Sequence, residues 1–267
     1  MHLLIDADSS MYKAGMSNEE RGYIVLNADG YVVHECKYKK EATLWVEGSK
    51  EEGATIESTR KAGPLSHSLS NLKLMCHAMT AISHETRQIY IGGKGNFRYD
   101  IYPEYKANRR DGDKPIHMKE MEEYLMAHWG AIKVDGEEVD DRVAWEQCTS
   151  KEETCIVSID KDLLGVPGWN YNYDKKTLRN ITLEEADYAF AIQLLTGDST
   201  DTIKGVPRVG IKGAEKLLSF PLQESWREIV LKQYERAYPG EGEKMMVQNG
   251  QCLWMRRQPE QMWSLET

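Results

Sequence analysis

Two short apolar runs, each ending in aspartate, constrain this chain more than any other feature. HLLID closes on Asp6 and TCIVSID on Asp160, and in each case a second aspartate stands two residues on, at Asp8 and Asp162. Both runs are too short for helices and read as buried strands. Around them the pattern alternates. Leu69, Leu72, Met75, Cys76, Met79 and Ile82 give helical spacing over 68–84; QIYIGG reads as a strand, 116–129 as a helix, AIKVDG as a strand and VDDRVAWEQC as a helix. WNYNYD reads as a further strand, and Thr182 to Leu195 as a helix opened by a Thr182/Glu185 capping box. Strands alternating with helices predict a mostly parallel α/β sheet flanked by helices. Ligands of such sheets lie beyond the carboxyl ends of the strands, which makes the strand-terminal acids the first candidates for a site.

The remainder is organised around this core. Residues 20–48 hold strand-like stretches with an Asp29-Gly30 turn, read as a β-hairpin, and the polar, Gly-rich segment 49–68 reads as an exposed loop. Beyond Asp198 the chain reads as mostly helical. A composition of 40% apolar residues over 267 supplies a sizeable core, and no stretch approaches the roughly 18 apolar residues of a membrane helix. Asp6 and Asp8 fall where an export signal needs an apolar run. The five cysteines are scattered, without a CxxC pair, so neither a disulfide framework nor a structural zinc site is expected, and the thiols are read as reduced and cytoplasmic. A net charge of -9 counts against a protein that coats nucleic acid nonspecifically, but not against a local basic track beside a carboxylate cluster.

The acids fall into separated groups: Asp6 with Asp8; Glu138 with Asp140 and Asp141; Asp160 with Asp162; and Asp198 with Asp201. Hard divalent ions such as Mg²⁺ or Mn²⁺ take carboxylate and water oxygens. Two such ions about 4 Å apart can hold the attacking and leaving oxygens of a phosphodiester. Taken singly, each acid reads as well as a cap, a turn residue or a solvated charge, and Glu138 and Asp140 at a helix start suit the helix dipole alone. Their joint placement favours a metal-dependent phosphotransfer or hydrolysis site.

Two basic segments accompany them. Residues 94–110 carry Lys94, Arg98, Lys106, Arg109 and Arg110, with Tyr105, against Asp100 and Glu104. Arginine and lysine can hold phosphates and tyrosine can stack on a base, although charge alone also fits a solvated helix end. From Ile203 to Leu218, glycines at 205, 210 and 213 punctuate a turn carrying Lys204, Arg208, Lys212 and Lys216. Backbone N–H groups at such a turn can bind phosphate oxygens. GVPRVGIKGA resembles the helix-hairpin-helix, a binder of duplex backbone.

In order, LLIDADS, Tyr105-Lys106-Ala107-Asn108-Arg109, Glu138-Val139-Asp140-Asp141, Ser158-Ile159-Asp160-Lys161-Asp162 and Gly197-Asp198-Ser199-Thr200-Asp201 resemble the motifs of the 5′ nuclease (5′→3′ exonuclease, flap endonuclease) family. That family includes bacteriophage exonucleases and the 5′ nuclease domain of DNA polymerase I. The resemblance covers roughly residues 1–220. It implies a PIN-like catalytic core over 1–196, with an insert at about 20–66 and a short arch at about 103–130. A helical DNA-binding region over 197–267 would follow, its helix-hairpin-helix at about 203–218. It implies two Mg²⁺ or Mn²⁺ ions held by Asp6, Glu138, Asp140, Asp160, Asp162 and Asp201, with Asp141 and Asp198 as outer contributors. Lys106 and Arg109 would sit on the scissile phosphate, and Tyr105 would stack on the terminal nucleotide. Lys94, Arg98, Arg110, Lys204, Gly205, Val206, Arg208, Gly210, Lys212 and Gly213 would contact DNA, and a K⁺ ion often accompanies the helix-hairpin-helix.

The expected activity is metal-dependent 5′→3′ exonuclease or flap endonuclease cleavage of DNA near 5′ ends, with an RNase H action on RNA–DNA hybrids open. The length fits a stand-alone, bacteriophage-type, monomeric enzyme of the cytoplasm. Relatives often carry a further aspartate after the strand matching QIYIGG, where this chain has Gly92-Gly93, so one metal position is expected to be an acid short, with position 93 facing the cluster. The rival readings are a PIN-domain ribonuclease and a catalytically weakened DNA-structure-binding protein.

Overall fold

The computed structural model describes residues 1–49, 51–109, 114–219 and 226–267. In chain order the elements are β1 (His2–Asp6), α1 (Asp8–Met16), β2 (Glu19–Leu26), β3 (Val32–Cys36), α2 (Lys39–Gly48), β4 (Thr55–Ala62), α3 (Leu65–Met79), β5 (Thr86–Gly92), α4 (Arg98–Ile101) and α5 (Met118–Trp129). There follow β6 (Ile132–Val134), α6 (Val139–Thr149), β7 (Thr154–Val157), β8 (Gly168–Asn172), β9 (Thr177–Ile181), α7 (Leu183–Thr196), β10 (Gly197–Asp198), β11 (Ile203–Lys204), α8 (Ile211–Leu218), α9 (Trp226–Ala237) and α10 (Gly242–Leu253).

The described residues fall into two compact units. One comprises Met1–Ser9, Cys76–Asp113 and Leu125–Thr267, less the undescribed residues, and holds a six-stranded sheet in the order β6-β5-β1-β7-β8-β9. Every neighbouring pair is parallel except β8 with β9. β1 and β7 lie side by side at the centre, with Ile5 opposite Val157, so their carboxyl ends are level. Leu3, Leu4, Ile5, Cys155, Ile156 and Val157 are all buried. A strand covered on both faces has no polar alternation to show, which is why these runs read so plainly.

The C-terminal helices belong to this same unit rather than standing apart from residue 197 onward. Phe190 on α7 meets Trp226, Trp254 and Trp263 edge-on, with ring centroids 6.1, 4.9 and 5.4 Å away. Such pairs add about 0.5–1.5 kcal/mol each beyond area burial. Gly250 admits the Trp263 ring, because a Cβ there would lie 2.0 Å from it. The capping box at Thr182 is formed as read.

The second unit, Ser10–Met75 with Lys114–Tyr124, contains an antiparallel sheet in the order β3-β2-β4. The hairpin expected around Asp29-Gly30 is present, but the loop expected over 49–68 is not: β4 pairs with β2 along its whole length, from Glu19 opposite Ala62 to Leu26 opposite Thr55. α2 occupies 39–48, its Trp45 stacked on His34 of β3 at 5.1 Å. Among the described residues no helix is long and apolar enough to cross a membrane.

Candidate active site

The level ends of β1 and β7 bring their acids together. Asp6, 4% exposed, accepts the Asp8 N–H on Oδ1 at 3.0 Å and the Ser158 hydroxyl on Oδ2 at 2.9 Å. Asp160 follows Ser158 and takes the Asp162 N–H at 2.9 Å, while Gln193 of α7 donates to Asp162 at 3.1 Å. Asp140 enters from the first turn of α6, and its Oδ1 is buried without a hydrogen-bond partner among the described residues.

The electrostatics of this group are those of crowded carboxylates, with Lys161 at 3.7 Å from Asp162 as a nearby cation. Burial, then the charge of Asp8, then that of Asp160 push Asp6 up to about 7, against the bonds from Asp8 and Ser158. Burial, then Asp6, Asp160 and Glu138 push Asp140 well above the usual carboxylate range. Burial and Asp160 bring Asp162 to about 6. Among the described residues no three such side chains are already closed around one point as an ion would require. The donor set nevertheless fits hard cations: all oxygen, crowded enough to repel, with one buried oxygen unpartnered.

A second cluster adjoins through Glu138, the N-cap residue of α6. Glu138 accepts from Asn96 at 2.9 Å and from the Tyr105 hydroxyl at 3.1 Å, and it is ion-paired with Lys106. Burial alone would raise its pKa; Arg98 and Lys106 outweigh that and hold it below the usual range. Asp201 accepts from Tyr105 at 2.8 Å and from Arg109 at 2.9 Å, with Lys106 at 3.8 Å. Burial raises Asp201 in spite of these partners. Lys106 has φ +55°, a left-handed conformation costly for a lysine, and its N–H is anchored on Asp201 O at 3.0 Å. Asp198 binds the N–H groups of Thr200 and Asp201 at 2.7 and 3.3 Å and Lys161 at 3.0 Å, so it shapes the turn that presents Asp201. The bonds and charge of Lys161 and these N–H groups hold Asp198 low, although burial opposes them.

Several expectations from the sequence are corrected. Asp141 is not the expected outer contributor to the metal site, nor is Arg98 a DNA contact: both are 0% exposed, and the Arg98 guanidinium grips both oxygens of Asp141. Arg98 also donates to Cys252 O at 2.7 Å and Trp254 O at 3.1 Å, tying α6 to the end of α10. Tyr105 is 2% exposed and faces the two acids, so its ring is not a stacking platform. Gly93 does not face the cluster: a Cβ there would lie 2.2 Å from Asp135 Oδ1 and 2.6 Å from Val134 O. Gly92 is the residue beside the acids, its N–H donated to Asp8 Oδ1 at 2.8 Å. Arg110 lies outside the described residues.

At the Gly-rich turn, Gly205 and Val206 are buried and their main chain is committed to packing. Val206 N–H bonds Leu195 O at 2.8 Å, Tyr238 bonds Gly205 O at 3.1 Å, and a Cβ on Gly205 would lie 2.3 Å from Gly197 N. These two residues therefore shape the turn rather than meet DNA. Lys204, Arg208, Gly210, Lys212 and Gly213 are exposed around it, and so is Lys94 after β5. Sequence reasoning missed Asn96 and Gln193, polar residues with no motif to mark them.

No protein-family model matches the chain. A 5′–3′ exonuclease of Buchnera aphidicola subsp. Schizaphis graminum is 30% identical over 145 residues, 49% of this chain and 50% of that protein. A flap endonuclease Xni of Vibrio vulnificus is 25% identical over 175 residues, 58% and 67% of the two chains. The chain spans about half the length of the first of these relatives. Among solved structures, the bacteriophage T5 5′-exonuclease with divalent zinc ions bound matches with a TM-score of 0.54 at 13% identity, over 95% of this chain and 89% of that one. The bacteriophage T5 flap endonuclease in a pseudo-enzyme-product complex with DNA and metal ions gives 0.51 at 14% identity, over 95% of both. At such identities the likeness is one of fold, and it bears out the mostly parallel α/β class.

Proposed function

We propose that this chain, a relative of the 5′ nucleases, is a metal-dependent 5′→3′ DNA exonuclease and flap endonuclease. The observation that carries this reading is the crowded carboxylate group at the ends of β1 and β7, with Asp140 Oδ1 buried and unpartnered, beside the cationic pair Lys106 and Arg109.

Asp6, Asp140, Asp160 and Asp162 would hold divalent ions, with Glu138 and Asp201 joining them. The all-oxygen set favours Mg²⁺ or Mn²⁺. When bound, such ions supply an activated water and charge neutralisation at the leaving oxygen. Lys106 and Arg109 would meet the non-bridging oxygens of the scissile phosphate, where charge grows in the transition state. Tyr105 holds Glu138 and Asp201 in place, and Asn96 holds Glu138. Lys94, Lys204, Arg208 and Lys212 would hold duplex phosphates by charge, Gly210 and Gly213 leaving the turn open to the backbone. The K⁺ ion at this turn rests on the resemblance alone. In the same reading the enzyme acts as a cytoplasmic monomer, with the RNA of an RNA–DNA hybrid as a second substrate.

The test is digestion of a 5′-labelled duplex, a 5′-flap substrate and an RNA strand, each with Mg²⁺ or chelator. Mg²⁺-dependent release of short labelled products from duplex and flap is expected. Cleavage confined to RNA would favour a ribonuclease, and flap binding without cleavage a DNA-structure-binding protein.

A further inference from the structure

Ser158 links the two strand ends that carry the acidic group. It is 1% exposed and lies one residue past β7, with its N–H on Tyr171 O at 3.2 Å. Its hydroxyl meets Asp6 Oδ2 at 2.9 Å, and the same oxygen accepts the Asp160 N–H at 3.1 Å. A hydroxyl has one proton and two lone pairs. The Asp160 N–H can only donate, so it occupies a lone pair and the serine proton is left to face Asp6. With the Asp8 N–H on Oδ1 at 3.0 Å, both oxygens of Asp6 then receive a donor, and the plane of its carboxylate is fixed. The same serine oxygen sets the main chain at Asp160. One side chain, 152 residues from Asp6 in sequence, thus aligns acids at the ends of two strands.

The geometry points to Ser158 as a positioning residue that sets Asp6 and Asp160 relative to one another and so determines how tightly the cluster takes a divalent ion. This rests on the metal reading above. Ser158 touches neither ion nor substrate in this role; it acts through Asp6 and Asp160. Removing a partner that orients a ligand typically costs 10–100-fold in metal affinity.

The experiment is a calorimetric Mn²⁺ titration of the full chain, with metal-free melting curves alongside. Ser158→Ala is expected to weaken Mn²⁺ binding by about tenfold or more. Ser158→Thr, which keeps the hydroxyl, should stay within about threefold of the parent. In an Asp6→Ala background, adding Ser158→Ala should cost clearly less than it does in the parent, at most about threefold, because one of the two acids through which it acts is gone. Should the alanine variant be unfolded, Ser158→Cys keeps nearly the same shape with a weak donor and is expected to show the same loss. A parent chain that binds Mn²⁺ and a Ser158→Ala titration that overlays it would overturn this inference alone. So would an equal loss with and without Asp6, because Ser158 would then not act through Asp6 and would not set the two acids relative to one another. A parent chain that binds no Mn²⁺ would overturn the metal reading and this inference with it.

Discussion

Lys106 spends its ammonium on Glu138, the N-cap acid of α6, while its backbone N–H holds Asp201 O at 3.0 Å. A divalent ion and a scissile phosphate would each claim one half of that ion pair. Lys106→Met is therefore expected to lower kcat by about 10²-fold or more, as loss of a transition-state cation does. Mn²⁺ binding by calorimetry should be unchanged or tighter, since a competitor for Glu138 is gone. A matching fall in ion affinity would assign the lysine to holding the site together instead.

The buried pair Arg98–Asp141 predicts a stability effect separable from chemistry. Breaking such a pair strands a charge in the interior and costs about 3–5 kcal/mol. Asp141→Ala should lower the melting temperature by roughly 10 °C for a chain of this size. Mn²⁺ affinity of the folded fraction should hold within about threefold. A variant that melts normally but loses metal would restore Asp141 as an outer contributor to the metal site.

Glycines 92 and 93 separate two environments. At Gly93 a Cβ would meet backbone at Val134 O, 2.6 Å away, as well as the Asp135 carboxylate. At Gly92 the nearest atom is the end of the Asp8 side chain at 2.8 Å, which can turn aside. Overpacking costs about 1–3 kcal/mol, so Gly93→Ala should melt several degrees below the parent and Gly92→Ala much less. Gly93→Asp should not tighten metal binding. Equal melting temperatures for the two alanine variants would contradict this packing.

How much of this was legible depended on whether a residue's partners are close in sequence. β1 and β7 announce themselves because burial on both faces leaves uninterrupted apolar runs, and the acids at their ends follow from the topology of a parallel sheet. β4 (TIESTRKA) is half-exposed and polar; what makes it a strand is its ladder with β2, which no local pattern carries. The inward turn of Tyr105 depends on Glu138 and Asp201, 33 and 96 residues away, and the pairing of Arg98 with Asp141 spans 43. A charged residue in a motif reads as surface until the structure shows what neutralises it.

The raised acids predict how stability follows pH without metal. Asp6 at about 7 and Asp162 at about 6 hold protons in the folded chain that the unfolded chain, near the ordinary aspartate value of 3.8, has already lost. Where the folded state binds more protons, stability falls as pH rises. The melting temperature should decline from pH 5 to 7.5 and level off beyond. Glu138 and Asp198, held low, act in the opposite sense, but only at pH about 4 and below. Saturating Mg²⁺ should flatten the decline, because the ion takes the place of the protons. A metal-free melting temperature that climbs through this window would mean the acids are not crowded as described.

The most direct test of the account is single-turnover cleavage of a 5′-labelled flap substrate by the parent chain and by Asp140→Asn, each in Mg²⁺ and in chelator. The parent should cut near the base of the flap in Mg²⁺ alone. Asp140→Asn, having lost one of the central ligand charges, should bind the flap about as well and cut it at least about 10³-fold more slowly. Cleavage by the parent in chelator, or full activity of Asp140→Asn, would contradict a metal-dependent nuclease built on these strand-end carboxylates.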